Sequence, residues 1–125
     1  MVESIGTLGT NRFVAATEQL DDGTTVVSVM GEVDRATAPA LERTLVAVAE
    51  EPTGAVIVDF TRCRFLDSTG LRILVETKGR LEESNRRLAL VVSNSIVMRI
   101  FKITRFDDLF EIHLSLAAAV DDERP

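Results

Sequence analysis

Ser68 and Thr69 are the residues of this chain best placed to do chemistry, because two hydroxyls follow Asp67 and precede Gly70-Leu71 where a loop becomes a helix. A hydroxyl there is a good place to attach a phosphate: the first N–H groups of a helix lack internal partners and point outward. Asp, Ser and Thr are also the ordinary N-capping residues, so the motif by itself fits either a modification site or a plain cap. Ser68 or Asp67 sits near the N-cap. Gly70 in the first turn is poorer than alanine by roughly 1 kcal/mol in helix propensity, which points to close approach by another backbone or by a partner.

The surrounding pattern supplies the elements that hold this group. Residues 54–60 read as a buried strand, and Leu71, Leu74, Val75, Lys78 and Leu81 recur at helical spacing, predicting a helix over 69–83. Upstream, 12–20 is a strand candidate, Asp21-Asp22-Gly23 a turn, and 24–30 a β-branched strand, so the three form a hairpin. A helix begins near Thr37, its plausible cap, with Pro39 in the first turn and Leu41, Leu45, Val48 and Ala49 on one face. Downstream, 87–93 is a strand, and Ser93 or Ser95 can cap a third helix in which Ile96, Ile100 and Ile103 line one stripe and Val97 and Phe101 widen it. A last strand over 109–114 and a short helix over 116–121 follow. Alternation of this kind predicts an α/β fold, with parallel strands where helices make the crossovers.

The chain has 125 residues, one domain's worth, with 46% hydrophobic and 27% charged residues, ordinary values for a globular protein. Residues 1–11 read as a loose leader, 12–120 as the domain and 121–125 as an acidic tail. A net charge of -6 opposes binding to nucleic acid or anionic lipid. No apolar run is long enough for a membrane span and no signal peptide is visible, so the expected location is cytoplasmic. One cysteine and one histidine provide neither an internal disulfide nor a typical zinc set, and no cofactor is expected.

Other single residues read as structural. Cys63 lies between two arginines, which would lower its thiol pKa, in what reads as a strand-to-helix loop. His113 lacks a visible acidic or nucleophilic partner. Phe60, Phe65, Phe101, Phe106 and Phe110 are expected in the core. Arg62, Arg64, Arg86 and Arg87 read as solvated charges, some of them available to an acidic partner face.

Three segments together resemble the STAS domain family, and within it the stand-alone bacterial anti-sigma factor antagonists. They are Gly31-Glu32-Val33-Asp34 followed by Thr37 and Leu41, then Val56-Ile57-Val58-Asp59 leading to Phe65-Leu66-Asp67-Ser68-Thr69-Gly70-Leu71, then residues 88–110. The resemblance implies a single STAS domain with a mixed sheet of about five strands and about four helices. It also implies a partner-switching regulator that is not an enzyme. Unphosphorylated, such a protein binds an anti-sigma factor and releases the sigma factor that it holds. The anti-sigma factor, commonly also a serine kinase, ends the interaction by phosphorylating the antagonist, and a phosphatase restores it.

On this resemblance Ser68 is the phosphoacceptor, and Asp34, Thr37, Asp67, Thr69, Gly70 and Arg72 join it in the partner-binding surface. Two positions depart from the family pattern. Arg72 stands where many members have a further glycine, and Thr104-Arg105-Phe106 where a glycine usually ends the third helix. A positive φ at Arg105 would cost roughly 1 to 2 kcal/mol. An alternative is a STAS adaptor subunit of a transporter or larger signalling assembly in which Ser68 is structural. A receiver domain phosphorylated on Asp59 is disfavoured, since Asp21-Asp22 lies in the wrong turn and no suitable lysine follows Val92. An independent enzyme is disfavoured too, since no nucleophile and base pair or phosphate-cradling glycine loop is present.

Overall fold

The hairpin forms as its turn chemistry predicts. In the computed structural model, which describes residues 13–122, β1 (Val14–Gln19) runs antiparallel to β2 (Thr25–Val33), with Gly23 at φ +90° in the turn. Asp22 accepts the Thr24 N–H at 2.9 Å, and this bond holds its carboxyl below the usual range. Four further elements then alternate: α1 (Ala38–Ala49), β3 (Val56–Leu66), α2 (Ser68–Glu83) and β4 (Leu88–Val91). After α3 (Ser95–Ile103) comes one 3₁₀ turn (Phe106–Asp108), then β5 (Glu111–His113) and α4 (Leu116–Asp121). The strands lie in the order β1-β2-β3-β4-β5, parallel from β2 onward, so the mixed sheet of five strands with four helices is the expected one.

Three helices share one face of the sheet. Leu41 and Leu45 of α1, Leu71, Ile73, Leu74 and Leu81 of α2, and Val97 and Phe101 of α3 pack with Val27, Val29, Val58 and Phe60 in the main core. On the opposite face Ala119 of α4 joins Val26, Ile57, Ala89 and Val91 in a smaller cluster.

Strand β3 runs six residues beyond the expected 54–60 because it changes period. Phe60, Cys63 and Leu66 are buried while the pairs Thr61-Arg62 and Arg64-Phe65 are exposed. Two shifts of register against β2 account for this, one between Ser28 and Met30 and one between Gly31 and Glu32. Each is a bulge that sets two consecutive side chains outside. Gly31 has φ +103°, a conformation that a side chain would strain. Cys63 thus belongs to a strand, and Phe65, 42% exposed, is not a core residue.

Other expectations change in phase. Helix α3 is capped by Asn94, whose Oδ1 accepts from Ile96 N–H at 2.7 Å and Val97 N–H at 3.3 Å, in place of Ser93 or Ser95. The buried stripe is Val97 and Phe101, and Ile96 and Ile103 face outward, 56% and 71% exposed. Arg105 does take a left-handed conformation, φ 63°, at the start of the 3₁₀ turn.

Arg86 and Arg87 are not solvated. Arg86 is buried among backbone carbonyls (see Discussion), and Arg87 pairs with Glu111. Its Nε lies 3.0 and 3.1 Å from the two carboxylate oxygens, and these bonds raise the guanidinium pKa. Arg87 also donates to Ala119 O at 2.9 Å, which fastens α4 to the sheet. His113 has acidic neighbours after all, with Nε2 2.7 Å from Glu111 and 3.4 Å from Asp122. Of the expected tail, Asp121 closes α4 and Asp122 meets His113, while 123–125 and the whole expected leader, 1–11, lie outside the described residues.

Candidate functional site

Parallel pairing sets the C-terminal ends of β2 and β3 side by side, and the candidate residues follow directly. Val33 pairs with Leu66, and Asp67 N–H donates to Val33 O at 3.1 Å. Asp34 follows Val33 directly, and Ser68 lies two residues beyond Leu66. Asn94 ties the start of α3 to the same edge by donating to Cys63 O at 3.2 Å. The starts of α1, α2 and α3 are therefore gathered along one edge of the sheet.

Asp67 is the N-cap of α2. Its Oδ1 accepts the N–H of Thr69 at 2.9 Å and of Gly70 at 3.3 Å, so the carboxylate occupies two of the outward-pointing amides. Ser68, the first residue of the helix, is exposed, and its hydroxyl makes no hydrogen bond among the described residues. Thr69 is half-buried. Gly70 is buried, and a Cβ there would run into Leu66 Cδ1 and lie 2.8 Å from Val33 Cγ1. The glycine is thus needed for packing: it lets the first turn of α2 rest on the ends of β2 and β3.

Asp34 and Thr37 form a closed loop of their own. Asp34 Oδ1 accepts from the N–H groups of Ala36 and Thr37, each at 3.0 Å. The Thr37 hydroxyl donates to Glu32 O at 2.7 Å and accepts from Asp34 N–H at 2.9 Å. Thr37 holds the N-cap position of α1 without a side-chain bond to the helix, so its hydroxyl stitches the β2–α1 turn. The carboxylate beside the site is fixed in place by this turn.

The cations differ in availability. Arg72 Nη1 contacts Glu76 Oε2 at 2.9 Å along α2, while Arg64 is exposed with no ion pair among the described residues. Phe65, exposed between Arg64 and Leu66, sets an apolar ring at the surface three residues before Ser68 in sequence. The sequence alone places it in the core, because the strand reads as ending at 60 and its continuation with paired outward side chains has no local signal. A phosphate on Ser68 would find the Thr69 and Gly70 amides already taken by Asp67, a carboxylate that repels it.

Cys63 is fully buried and donates to Phe65 O at 3.2 Å. Burial pushes its thiol pKa up, outweighing Arg64, so the arginines do not activate it. In the unfolded chain the thiol ionises near its ordinary value of 9.0 and in the folded protein only at higher pH. Stability is therefore expected to fall as pH rises through that value and to be independent of this group below it. Labelling by a thiol reagent should proceed at the rate of opening of the fold; immediate reaction of the native protein would contradict this placement.

Among the described residues one group has the side-chain types to hold a metal, Glu111, His113 and Asp122 on β5 and α4. Arg87 already neutralises its first carboxylate.

Comparison with known proteins agrees with this geometry. The family model "Mlab, STAS domain" matches residues 16–115. The anti-sigma-B factor antagonist of Staphylococcus epidermidis is 34% identical over 87 residues, 70% of this chain and 81% of that protein. An anti-sigma factor antagonist from Mycobacterium paratuberculosis superposes with a TM-score of 0.81 at 33% identity, covering 86% of this chain and 91% of that one. The Bacillus cell fate determinant SpoIIAA in its phosphorylated form shares the fold, with a TM-score of 0.67 at 19% identity over 88% of this chain and 99% of that one. With the family model running from within β1 through β5 and Asp67-Ser68-Thr69-Gly70 set at the junction of β3 and α2, the chain belongs to the STAS domain family.

Proposed function

We propose that this chain is a cytoplasmic anti-sigma factor antagonist, binding an anti-sigma factor when unphosphorylated and released by phosphorylation of Ser68. The observation that carries the reading is the exposed, unbonded Ser68 hydroxyl at the first position of α2, in a chain whose relatives include anti-sigma factor antagonists. The anti-sigma factor acts as a serine kinase: Ser68 Oγ takes the γ-phosphoryl group of ATP, its proton is lost and ADP departs. The protein is the substrate of that chemistry and has no catalytic residue of its own. A phosphatase resets the site by hydrolysis.

The docking surface comprises Ser68 with Asp34, Thr37, Asp67, Thr69, Gly70 and Arg72. Phosphorylation adds about -1.5 to -2 charge and three acceptor oxygens. With Asp67 holding the neighbouring amides and Arg72 paired with Glu76, Arg64 is the nearest cation in sequence that has no ion pair among the described residues. The new charge is left facing the partner, where bulk and desolvation weaken the complex.

The test is to incubate the chain with candidate anti-sigma kinases and ATP and map the phosphate by mass spectrometry. Incorporation at Ser68 is expected. Ser68→Ala should bind the anti-sigma factor within about twofold of the parent and escape control, and Ser68→Glu should bind at least about tenfold more weakly, a change of about 1.4 kcal/mol. Phosphate confined to other positions, or equal binding by the two variants, would refute the switch.

A further inference from the structure

The face of the sheet opposite α1, α2 and α3 is covered by α4 only in part. Over β1, β2 and the middle of β3 it carries a groove of about 360 Å³, near the lower end of the size range for small-molecule sites. Val14, Ala16 and Met30 supply its apolar side, and Ser28, Asp59 and Arg62 its polar one. The first bulge of β3 makes this lining possible. In a regular strand Arg62 would point to the core side with Phe60; the shift of register turns it out beside Thr61.

The two charges in this groove are available. Arg62 forms no ion pair among the described residues, with Asp59 or any other carboxylate, and makes no hydrogen bond there. Asp59 uses Oδ1 for the Thr61 N–H at 2.9 Å and the Thr61 hydroxyl at 2.5 Å, which fixes the carboxylate, and Oδ2 has no donor among the described residues. A guanidinium and a fixed carboxylate that line one concavity without pairing match a ligand carrying both charges. The adjoining Met30, Val14 and Ala16 match an aliphatic body, and the volume restricts it to a compact one.

We infer that this groove binds a free aliphatic α-amino acid as its zwitterion, with the carboxylate on Arg62, the ammonium on Asp59 Oδ2 and the side chain against Met30, Val14 and Ala16. A peptide terminus supplies only one of the two charges, which distinguishes the free amino acid from a docked chain end. The site is separate from Ser68 and does not depend on the partner-switching reading.

The experiment is a titration of the full chain with L-leucine followed in ¹H–¹⁵N correlation spectra. Saturable shifts are expected at amides of residues 28–30 and 59–62. Three comparators should bind at least about tenfold more weakly: 4-methylpentanoate, which lacks the ammonium, 3-methylbutylamine, which lacks the carboxylate, and glycine, which lacks the apolar body. Arg62→Gln and Asp59→Asn should each weaken leucine binding about tenfold, and their unchanged spectra elsewhere would show that the fold is intact. Absence of saturable shifts with leucine would overturn the inference. Equal binding of leucine and any comparator, or parent-like affinity in both variants, would overturn it too.

Discussion

Phe101→Ala is expected to destabilise the fold by about 3–5 kcal/mol, the range for removing a buried aromatic side chain. Phe101 is fully buried in α3 and is the centre of an aromatic chain. Its ring lies 6.3 Å from Phe60 on β3 and 6.2 Å, edge to face, from Phe110, which in turn stacks on Phe106 at 6.3 Å. Such pairs contribute beyond the area they bury, by about 0.5–1.5 kcal/mol each. Helix α3 has nine residues, too few to be stable alone, and only Val97 and Phe101 of them are fully buried. Loss of this one ring removes most of what holds the helix. In urea denaturation the midpoint should fall by about 2 M at a slope of about 2 kcal/mol per M. A shift below about a quarter of that would mean that α3 is held by its exposed isoleucines against something else.

Arg86→Met is expected to cost about 2–4 kcal/mol although it retains the apolar stem and about the same length. The guanidinium of Arg86, a residue only 7% exposed, replaces the solvent that would otherwise satisfy four carbonyls. Nε donates to Gly54 O at 2.8 Å, and Nη1 to Val48 O at 3.3 Å, Ala49 O at 3.2 Å and Glu51 O at 2.5 Å. Val48 and Ala49 end α1, whose last turn has no basic residue of its own, so Arg86 from the α2–β4 connection serves as its cationic cap. Nη2 makes no hydrogen bond; the Glu51 carboxylate, 4.0 Å away, offsets its charge at longer range. Arg86→Lys keeps the charge but cannot reach several carbonyls in a fixed fork, and should recover less than half of the loss. Equilibrium unfolding decides: a methionine variant within about 0.5 kcal/mol of the parent would show that these carbonyls find water readily.

Both residues illustrate what the sequence did and did not disclose. The hairpin, the alternating elements, the short last helix and the start of α2 at Asp67-Ser68 were legible, because each has a local cause such as a turn residue, a period or a cap. Arg86 was not, because its role depends on carbonyls 32 to 38 positions away. The stripe of α3 is centred differently from its sequence reading: Val97 and Phe101, read as its margin, are its buried middle, Ile100 packs partly against the core, and Ile96 and Ile103 are exposed, a choice that only packing on β3 makes. Asn94 was overlooked as a cap between two serines with similar propensity. At the candidate site Ser68, Asp67 and Asp34 came together through parallel pairing, which the alternation of elements predicts. The carboxylate blocking the amides of α2 did not, since residue types do not show which hydrogen bonds are already made.

The threefold rhythm of β3 bears on how this protein can diverge. Phe60, Cys63 and Leu66 form a spine that must stay apolar and small enough to fit, whereas Thr61-Arg62 and Arg64-Phe65 can be exchanged without disturbing it. Descendants could acquire new binding preferences through those four side chains while inheriting an unaltered interior. A one-residue insertion or deletion there would have the opposite consequence, placing a charge where the Cys63 thiol belongs.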